Sequence, residues 1–398
     1  MAESDGPLLR DTNASVKLIG LEALLVPFLQ HTSSQRVSMF ASHIVQALPP
    51  KEAEHPYIYT GYENIIGEYS INRTERDQDI FVLDVIPKYP ENKGAHPIKY
   101  NPRYTVIYVG REDGLVHYFH QDKYILGTDG YGYENVWKNT SMLKPDVIIP
   151  KEVELSSAPA HIGKHGYGMG SNVNVAFITL PEVNNDAFLI SERMARKFTT
   201  TAYHTVSFNI FPDQAPLNLY GDAEEHKFLP DLGEFVRDDG IMCGFRTPTD
   251  STFVSDMMNL DTPHILHDDL YYAPPGSQIV DIEFYASPIR NKLKTDRALF
   301  SQVDKYLVPT IQYWQRVWSV YDSVKKKGIP LSPEFNTFAT RAGAFMMAYG
   351  YKPTGITRRP DIKLTLGKER IDHIYCKVTY RYRRLVVNGM KFSDRSIS

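Results

Sequence analysis

The chain has 398 residues, with 44 Lys+Arg against 47 Asp+Glu, 42% hydrophobic and 23% charged. That length and balance describe two or three globular domains and exclude wholesale disorder or a coiled coil. Its two cysteines, Cys243 and Cys376, exclude a disulfide scaffold and a Cys-rich zinc site, and apolar runs such as Leu21 to Leu29 are too short to span a membrane. With the acidic start Met1-Ala2-Glu3-Ser4-Asp5, these features predict a cytoplasmic protein with no membrane partner.

In chain order, Ile80 to Ile86 and Tyr104 to Val109 are short, β-branched and aromatic, and predict buried strands. Arg111-Glu112-Asp113-Gly114 ahead of Leu115 to Phe119 predicts a hairpin turn centred on Asp-Gly. Val173 to Ile178 alternates with a period of two and predicts another strand. Ser191 stands where it can cap a helix with Glu192 and Arg193 in its first turn. Leu299, Val303, Tyr306, Leu307, Ile311 and Trp314 open an apolar stripe at spacings of three and four that runs to Val324, the pattern of a helix packed on a core. Asp296 near its start and Lys325-Lys326-Lys327-Gly328 at its end suit the helix dipole and a stop. Pro309 is expected to kink or divide it. A second helix is expected from Pro333 to Met347. Val378, Tyr380 and Tyr382 then alternate with Thr379, Arg381 and Arg383, a return to strand. The prediction is a β-rich α+β protein with a helix-bearing insertion.

Charge is uneven. Lys352 to Arg395 holds 12 Lys/Arg and 4 Asp/Glu, a net of +8 against −11 for the rest. A basic end on an acidic body suggests a local polyanion contact, or else a solvated strand pair. Asn184-Asn185-Asp186, ahead of the apolar Ala187-Phe188-Leu189-Ile190, places amides and a carboxylate at a turn, which read alone is an ordinary Asn/Asp turn. His264, His267, Asp268 and Asp269 read as surface loop residues rather than metal ligands. His161 to Gly168 lacks the Gly-Lys-Ser/Thr ending of a phosphate loop.

Four motifs in order change the weight of these residues. They are Leu25-Val26-Pro27-Phe28-Leu29-Gln30-His31 with Gln35-Arg36 and Met39; Thr60-Gly61-Tyr62-Glu63; Gly170-Ser171-Asn172-Val173-Asn174-Val175-Ala176-Phe177 with Asp186 and Leu189-Ile190-Ser191-Glu192-Arg193; and Arg383-Arg384, Gly389 and Lys391-Phe392-Ser393-Asp394-Arg395. Together they resemble the central and flap portion of the β subunit of multisubunit DNA-directed RNA polymerases. The divergence and small size resemble the split polymerases of giant bacteriophages. The resemblance is dense over 24–63, 160–205 and 375–395, and one of layout between 210 and 370.

The resemblance implies part of a double-psi β-barrel core with an inserted flap-like domain. Residues 1–63 would be the fork-loop and nucleotide-contact segment, 64–205 the barrel core with the Asn-Asp site, 206–372 the flap-like insertion with helices near 296–347, and 373–398 the returning barrel strand and basic turn. It implies template-directed RNA synthesis, an in-line phosphoryl transfer assisted by two metal ions. Arg36 would contact the phosphates of the incoming nucleotide, Gln35 and Asn185 would lie beside that nucleotide, and Asp186 would help hold its Mg²⁺. Lys391 would lie near the RNA 3′ end. Mg²⁺ would be held mainly by a partner subunit, since nothing here resembles that subunit's Asp-x-Asp-x-Asp triad. Expected partners are the remaining β pieces, the β′-like chains, the DNA template, nascent RNA, ribonucleoside triphosphates and a sigma-like factor at the flap. The expected setting is the cytoplasm of an infected bacterial cell, with the virion as an alternative.

Three departures stand out. Asn185 replaces a glutamate, and an amide is a poorer Mg²⁺ ligand than a carboxylate. Ser42 replaces an asparagine. The sequence stops at Ser398 where the family continues Gly-Asn-Lys-Gly. The expectation is a fragment, inactive alone, whose strand face at Val378, Tyr380 and Tyr382 is only partly covered. The alternative is a non-catalytic nucleic-acid-binding or virion scaffold protein with a degenerate polymerase fold.

Overall fold

The computed structural model describes residues 19–89, 101–127, 130–163, 166–168, 170–176, 178, 181, 189–211, 213–222, 224–247, 259–286, 301–348, 365–366, 369–370 and 374–384. After a single helical turn at Leu21–Leu24 come helices α1 (Ser34–Gln46) and α2 (Glu63–Tyr69). Strands β1 (Ile80–Pro87), β2 (Arg103–Gly110), β3 (Val116–Asp122), β4 (Tyr124–Leu126) and β5 (Tyr131–Glu134) follow. Helix α3 (Glu192–Phe198) leads into the long strand β6 (Thr200–Ile210). Strands β7 (Ile241–Arg246), β8 (Asp268–Tyr272) and β9 (Gln278–Ala286) precede helices α4 (Ser301–Lys326) and α5 (Pro333–Ala348). Strand β10 (Ile374–Arg384) is the last described element. The chain is thus mixed α/β and strand-rich.

Two sheets organise it. In the first, β3, β2 and β1 pair in that order with the short strand Ile148–Ile149. Four consecutive buried residues, Thr105 to Tyr108, show that β2 is covered on both faces. Val106 and Tyr108 pack with Ile80, Val82 and Ile149 on one side, while Ile107 joins the aromatic residues of α4 and α5 on the other. The turn into β3 uses Gly114 at φ +66°, where glycine carries no Cβ penalty.

The second sheet runs β9–β10–β6–β5–β4, with every neighbour pair antiparallel. Strand β10 pairs with β6 residue for residue, from Ile374 opposite Ile210 to Arg384 opposite Thr200. Its other edge pairs with β9 across a bulge at Val280. The strand predicted at the end of the sequence is therefore internal to the sheet. Partial cover was expected of Val378, Tyr380 and Tyr382; Tyr382 is partly buried, whereas Val378 and Tyr380 are 0% and 4% exposed. Pairing on both edges, and packing against Phe208, Ile282 and Phe284, cover them.

Helix α4 runs unbroken through Pro309 for 26 residues, so the proline does not divide it. Its first turns place Val303, Tyr306 and Leu307 in the core beneath the five-stranded sheet. Its later turns place Tyr313, Val317 and Trp318 against β1–β3 and α5. Burial at both ends outweighs the ~3 kcal/mol that an interior proline costs a helix. Gly328 at φ +70° follows its end, as the Lys-Lys-Lys-Gly run predicts.

A buried ionic cluster ties the sheets together. Lys88 Nζ lies 2.6 Å from Asp281 Oδ2 and also bonds Glu283. Tyr89 and Tyr124 both donate their hydroxyls to Asp281. Among the described residues, 171–176 form no strand, contrary to the alternating pattern there. Val173 and Val175 are exposed, with no described strand alongside to pair them.

Candidate functional site

Helix α1 carries the two nucleotide-contact candidates in its first turn. Ser33 precedes it in extended conformation without a side-chain cap bond, so the first amide groups of α1 keep their hydrogen-bonding capacity. Gln35 and Arg36 are both exposed. The Arg36 guanidinium reaches Met39 Sδ at 3.7 Å and has no carboxylate partner among the described residues. A cation beside a helix N-terminus gains nothing from the dipole, so Arg36 does not stabilise α1. Uncapped amides and an unpaired guanidinium together suit a phosphate or carboxylate.

Asn185, Asp186 and Lys391 lie outside the described residues. The helix that follows the Asn-Asp pair is present as predicted. Ser191 caps α3, its Oγ accepting from the Met194 amide at 3.3 Å, with Glu192 and Arg193 in the first turn.

The stretches 24–63 and 160–205 meet. Glu54 bridges Gly170, and its carboxylate accepts from the Asn172 amide at 2.8 Å and from the Lys197 ammonium. Lys197, and after it the Asn172 amide, hold the Glu54 carboxyl below its usual range. The Asn172 side chain donates to the His55 carbonyl at 2.8 Å and accepts from the Tyr57 amide at 3.3 Å. Thr200 Oγ1 bonds the Pro49 carbonyl. The Thr-Gly-Tyr-Glu motif has an equally definite role. Glu63 is 1% exposed at the head of α2 and accepts from the Thr60 amide and hydroxyl and from the Gly61 amide, at 2.8–3.1 Å. Gly61 sits at φ +93°, which only glycine adopts without strain.

The basic end of the sheet is assembled by pairing. Arg383 and Arg384 stand opposite Thr201 and Thr200, which follow Thr199 at the end of α3. Arg383 is exposed, while Arg381 donates to Gln278 at 2.8 Å. The hollow lined by Lys123, Tyr124, Tyr203 and Arg381 measures about 10 Å³, room for one water and far too little for a nucleotide.

Among the described residues, no group of three His, Cys, Asp or Glu could hold a metal ion, and Asp186, the residue expected to help hold one, lies outside them. Asp268, read from sequence as a surface loop residue, is buried and chelates Arg246 through two contacts of 2.7 Å. Asp269 accepts from Gln214. The sequence reading missed this pair and the Lys88 cluster. Their only signal was an acidic residue set inside an otherwise apolar strand, as at Asp281 and Glu283.

No family model matches the chain. In sequence it is β-subunit-like. It is 25% identical over 219 residues to DNA-directed RNA polymerase subunit beta of Desulforapulum autotrophicum, covering 55% of this chain and 14% of that protein. To the subunit of the same name from Lawsonia intracellularis it is 23% identical over 370 residues, 83% of this chain and 24% of that protein. To that of a Synechococcus strain it is 27% identical over 235 residues, 55% and 17% respectively. The chain thus spans about a quarter or less of the length of these curated relatives.

Proposed function

We propose that this chain is part of the β subunit of a DNA-directed RNA polymerase, of the split type found in giant bacteriophages, and works only with the remaining β pieces and β′-like chains. In this reading, 24–63 and 160–205 belong to one double-psi barrel and 206–372 is a flap-like insertion that could receive a sigma-like factor. Arg36 binds the phosphates of the incoming ribonucleoside triphosphate, Gln35 and Asn185 flank it, and Lys391 approaches the RNA 3′ end opposite the DNA template. Asp186 assists a Mg²⁺ held mainly by the partner chain, and that ion supplies charge neutralisation on the reacting phosphates. The enzyme would act in the cytoplasm of an infected cell or travel in the virion.

The observation that carries this reading is the bonding of Glu54, His55 and Tyr57 to Gly170 and Asn172, at sequence separations of 115 and more. The resemblance demands that these stretches adjoin, and sequence proximity does not supply it. An unpaired Arg36 on an uncapped helix start adds the chemistry.

The test is co-expression with the polymerase chains of the same genome, purification, and primer extension with Mg²⁺. Arg36→Ala should lower kcat/KM for nucleotide addition by roughly 10- to 150-fold, the loss of one charge-assisted phosphate contact of about 1.5–3 kcal/mol. An unchanged kcat/KM places Arg36 outside the site. RNA synthesis by this polypeptide alone overturns the multichain reading. Asn185, an amide where a carboxylate would serve a metal, favours a second reading as a non-catalytic nucleic-acid-binding or scaffold chain. An assembly whose RNA synthesis ignores changes at Arg36, Asp186 and Lys391 would establish it.

A further inference from the structure

The loop His55 to Tyr59 is held at both ends yet presents its middle to solvent. On one side Asn172 grips it through the His55 carbonyl and the Tyr57 amide. On the other, Glu63 fixes Thr60 and Gly61, and the Tyr59 hydroxyl bonds Asn64. Between these clamps Tyr57 is 91% exposed and Ile58 52%. A mobile loop would pay for its own ordering on binding; this one has already been ordered, so its aromatic surface is preorganised. No residue of 19–69 enters any of the four apolar clusters of the described structure. Phe28 and Phe40 of the same segment are also exposed.

Charge decides what kind of partner fits. Glu54 is engaged by Lys197, and Glu63 is buried among amide donors. The loop's own ionisable side chain is the exposed His55, and the nearest exposed Lys or Glu in sequence, Lys51 and Glu52, have opposite sign. The surface is therefore apolar and close to neutral. Nucleic acid is bound chiefly through cations on its phosphates, which this loop does not offer. Tyrosine presented rigidly over apolar surface is the composition of a protein-interface anchor.

We propose that the His55–Tyr59 loop is the anchor by which this chain docks onto another protein chain of its polymerase assembly, with Tyr57 entering an apolar, weakly charged pocket there. The proposal rests on the polymerase reading and adds to it the place and chemistry of the contact. The experiment uses the co-expressed assembly, with dissociation of this chain followed on dilution and the bound subunits quantified. Tyr57→Ser should weaken association at least ~10-fold, as for an interface anchor, without moving the melting temperature of the free chain. Asn172→Ala, which releases one clamp, should weaken it by less. Tyr272→Ser, at an exposed tyrosine on β8, should leave it unchanged. Unaltered association of Tyr57→Ser overturns the proposal and spares the polymerase reading. Lost crosslinking to RNA or DNA with association intact also overturns it, and assigns the loop to nucleic acid. A wild-type chain that never joins the polymerase chains sinks the reading and the proposal together.

Discussion

Replacing Lys88 with methionine tests the account of how the two sheets are joined. The Lys88 ammonium side chain is 17% exposed and bonds Asp281 and Glu283, whose side chains are 7% and 22% exposed. Burial pushes the Glu283 carboxyl up, but the Lys88 charge and hydrogen bond outweigh it and hold the group below its usual range. Without Lys88, two carboxylates share a poorly hydrated site in which the Tyr89 and Tyr124 hydroxyls face Asp281, the Tyr285 hydroxyl faces Glu283, and the more distant Lys377 is the remaining cation acting on Glu283. Removing one partner from a buried ionic group costs about 3–5 kcal/mol, because the opposing charge is left uncompensated. The urea midpoint of Lys88→Met should fall accordingly. Its deficit should shrink as pH drops and the carboxylates take up protons, since a depressed carboxylate gives its stability above its unfolded value and loses it on acidification. Adding Asp281→Asn and Glu283→Gln should recover much of the loss, since no uncompensated charge then remains. A loss below about 1 kcal/mol at neutral pH, the size seen for exposed pairs, would refute the picture of a buried junction.

Two further outcomes follow from packing and charge. At Gly343 an added Cβ would lie 2.5 Å from the Trp318 ring, so Gly343→Ala should destabilise by about 1–3 kcal/mol in urea unfolding, against the gain alanine normally brings to a helix. Burial raises the Asp231 carboxyl, but bonds from Lys305, Tyr306 and Lys227 prevail and hold it at about 2, against an ordinary 3.8. Its contribution, about 2 kcal/mol, is present above pH 4 and lost as pH falls towards 2, so Asp231→Asn should flatten the acid side of the melting-temperature profile.

Local signals were legible in the sequence wherever a single segment could decide. The β1 and β2 runs, the Asp-Gly turn, the Ser191 cap and the stripe of α4 are read from residues within a few positions of one another. Partnership across the chain was not legible. Val173 to Ile178 has the period of a strand, yet a strand exists only where a neighbour offers its backbone. Tyr380 looked half-covered because nothing near it in sequence announces β9, whose Ile279 lies beside it. Lys88 and Asp281, 193 residues apart, have no local signature at all. In the candidate site, Gln35 and Arg36 are exposed at a helix start, and Asn185, Asp186 and Lys391 lie outside the described residues. The duties of Glu63 and Asn172 could be seen only once their hydrogen bonds were in place.

Those duties bear on how the likeness to polymerase β subunits can be tested. Glu63 and Asn172 both stand in motifs that carry the resemblance, and both are engaged in holding one loop. A variant at either would disturb the His55–Tyr59 loop and the junction of 49–60 with 170–200. Lost RNA synthesis there would report on the framework, whatever the chemistry. Arg36 is different: it is exposed, makes no ion pair among the described residues and does not suit its own helix dipole. Nothing described in the fold depends on its charge. A change at Arg36 that leaves the melting temperature alone and reduces nucleotide use therefore points to a ligand with negative charge. The motifs at Glu63 and Asn172 support a shared framework, and the case for polymerase chemistry turns on Arg36 and the residues proposed to act with it.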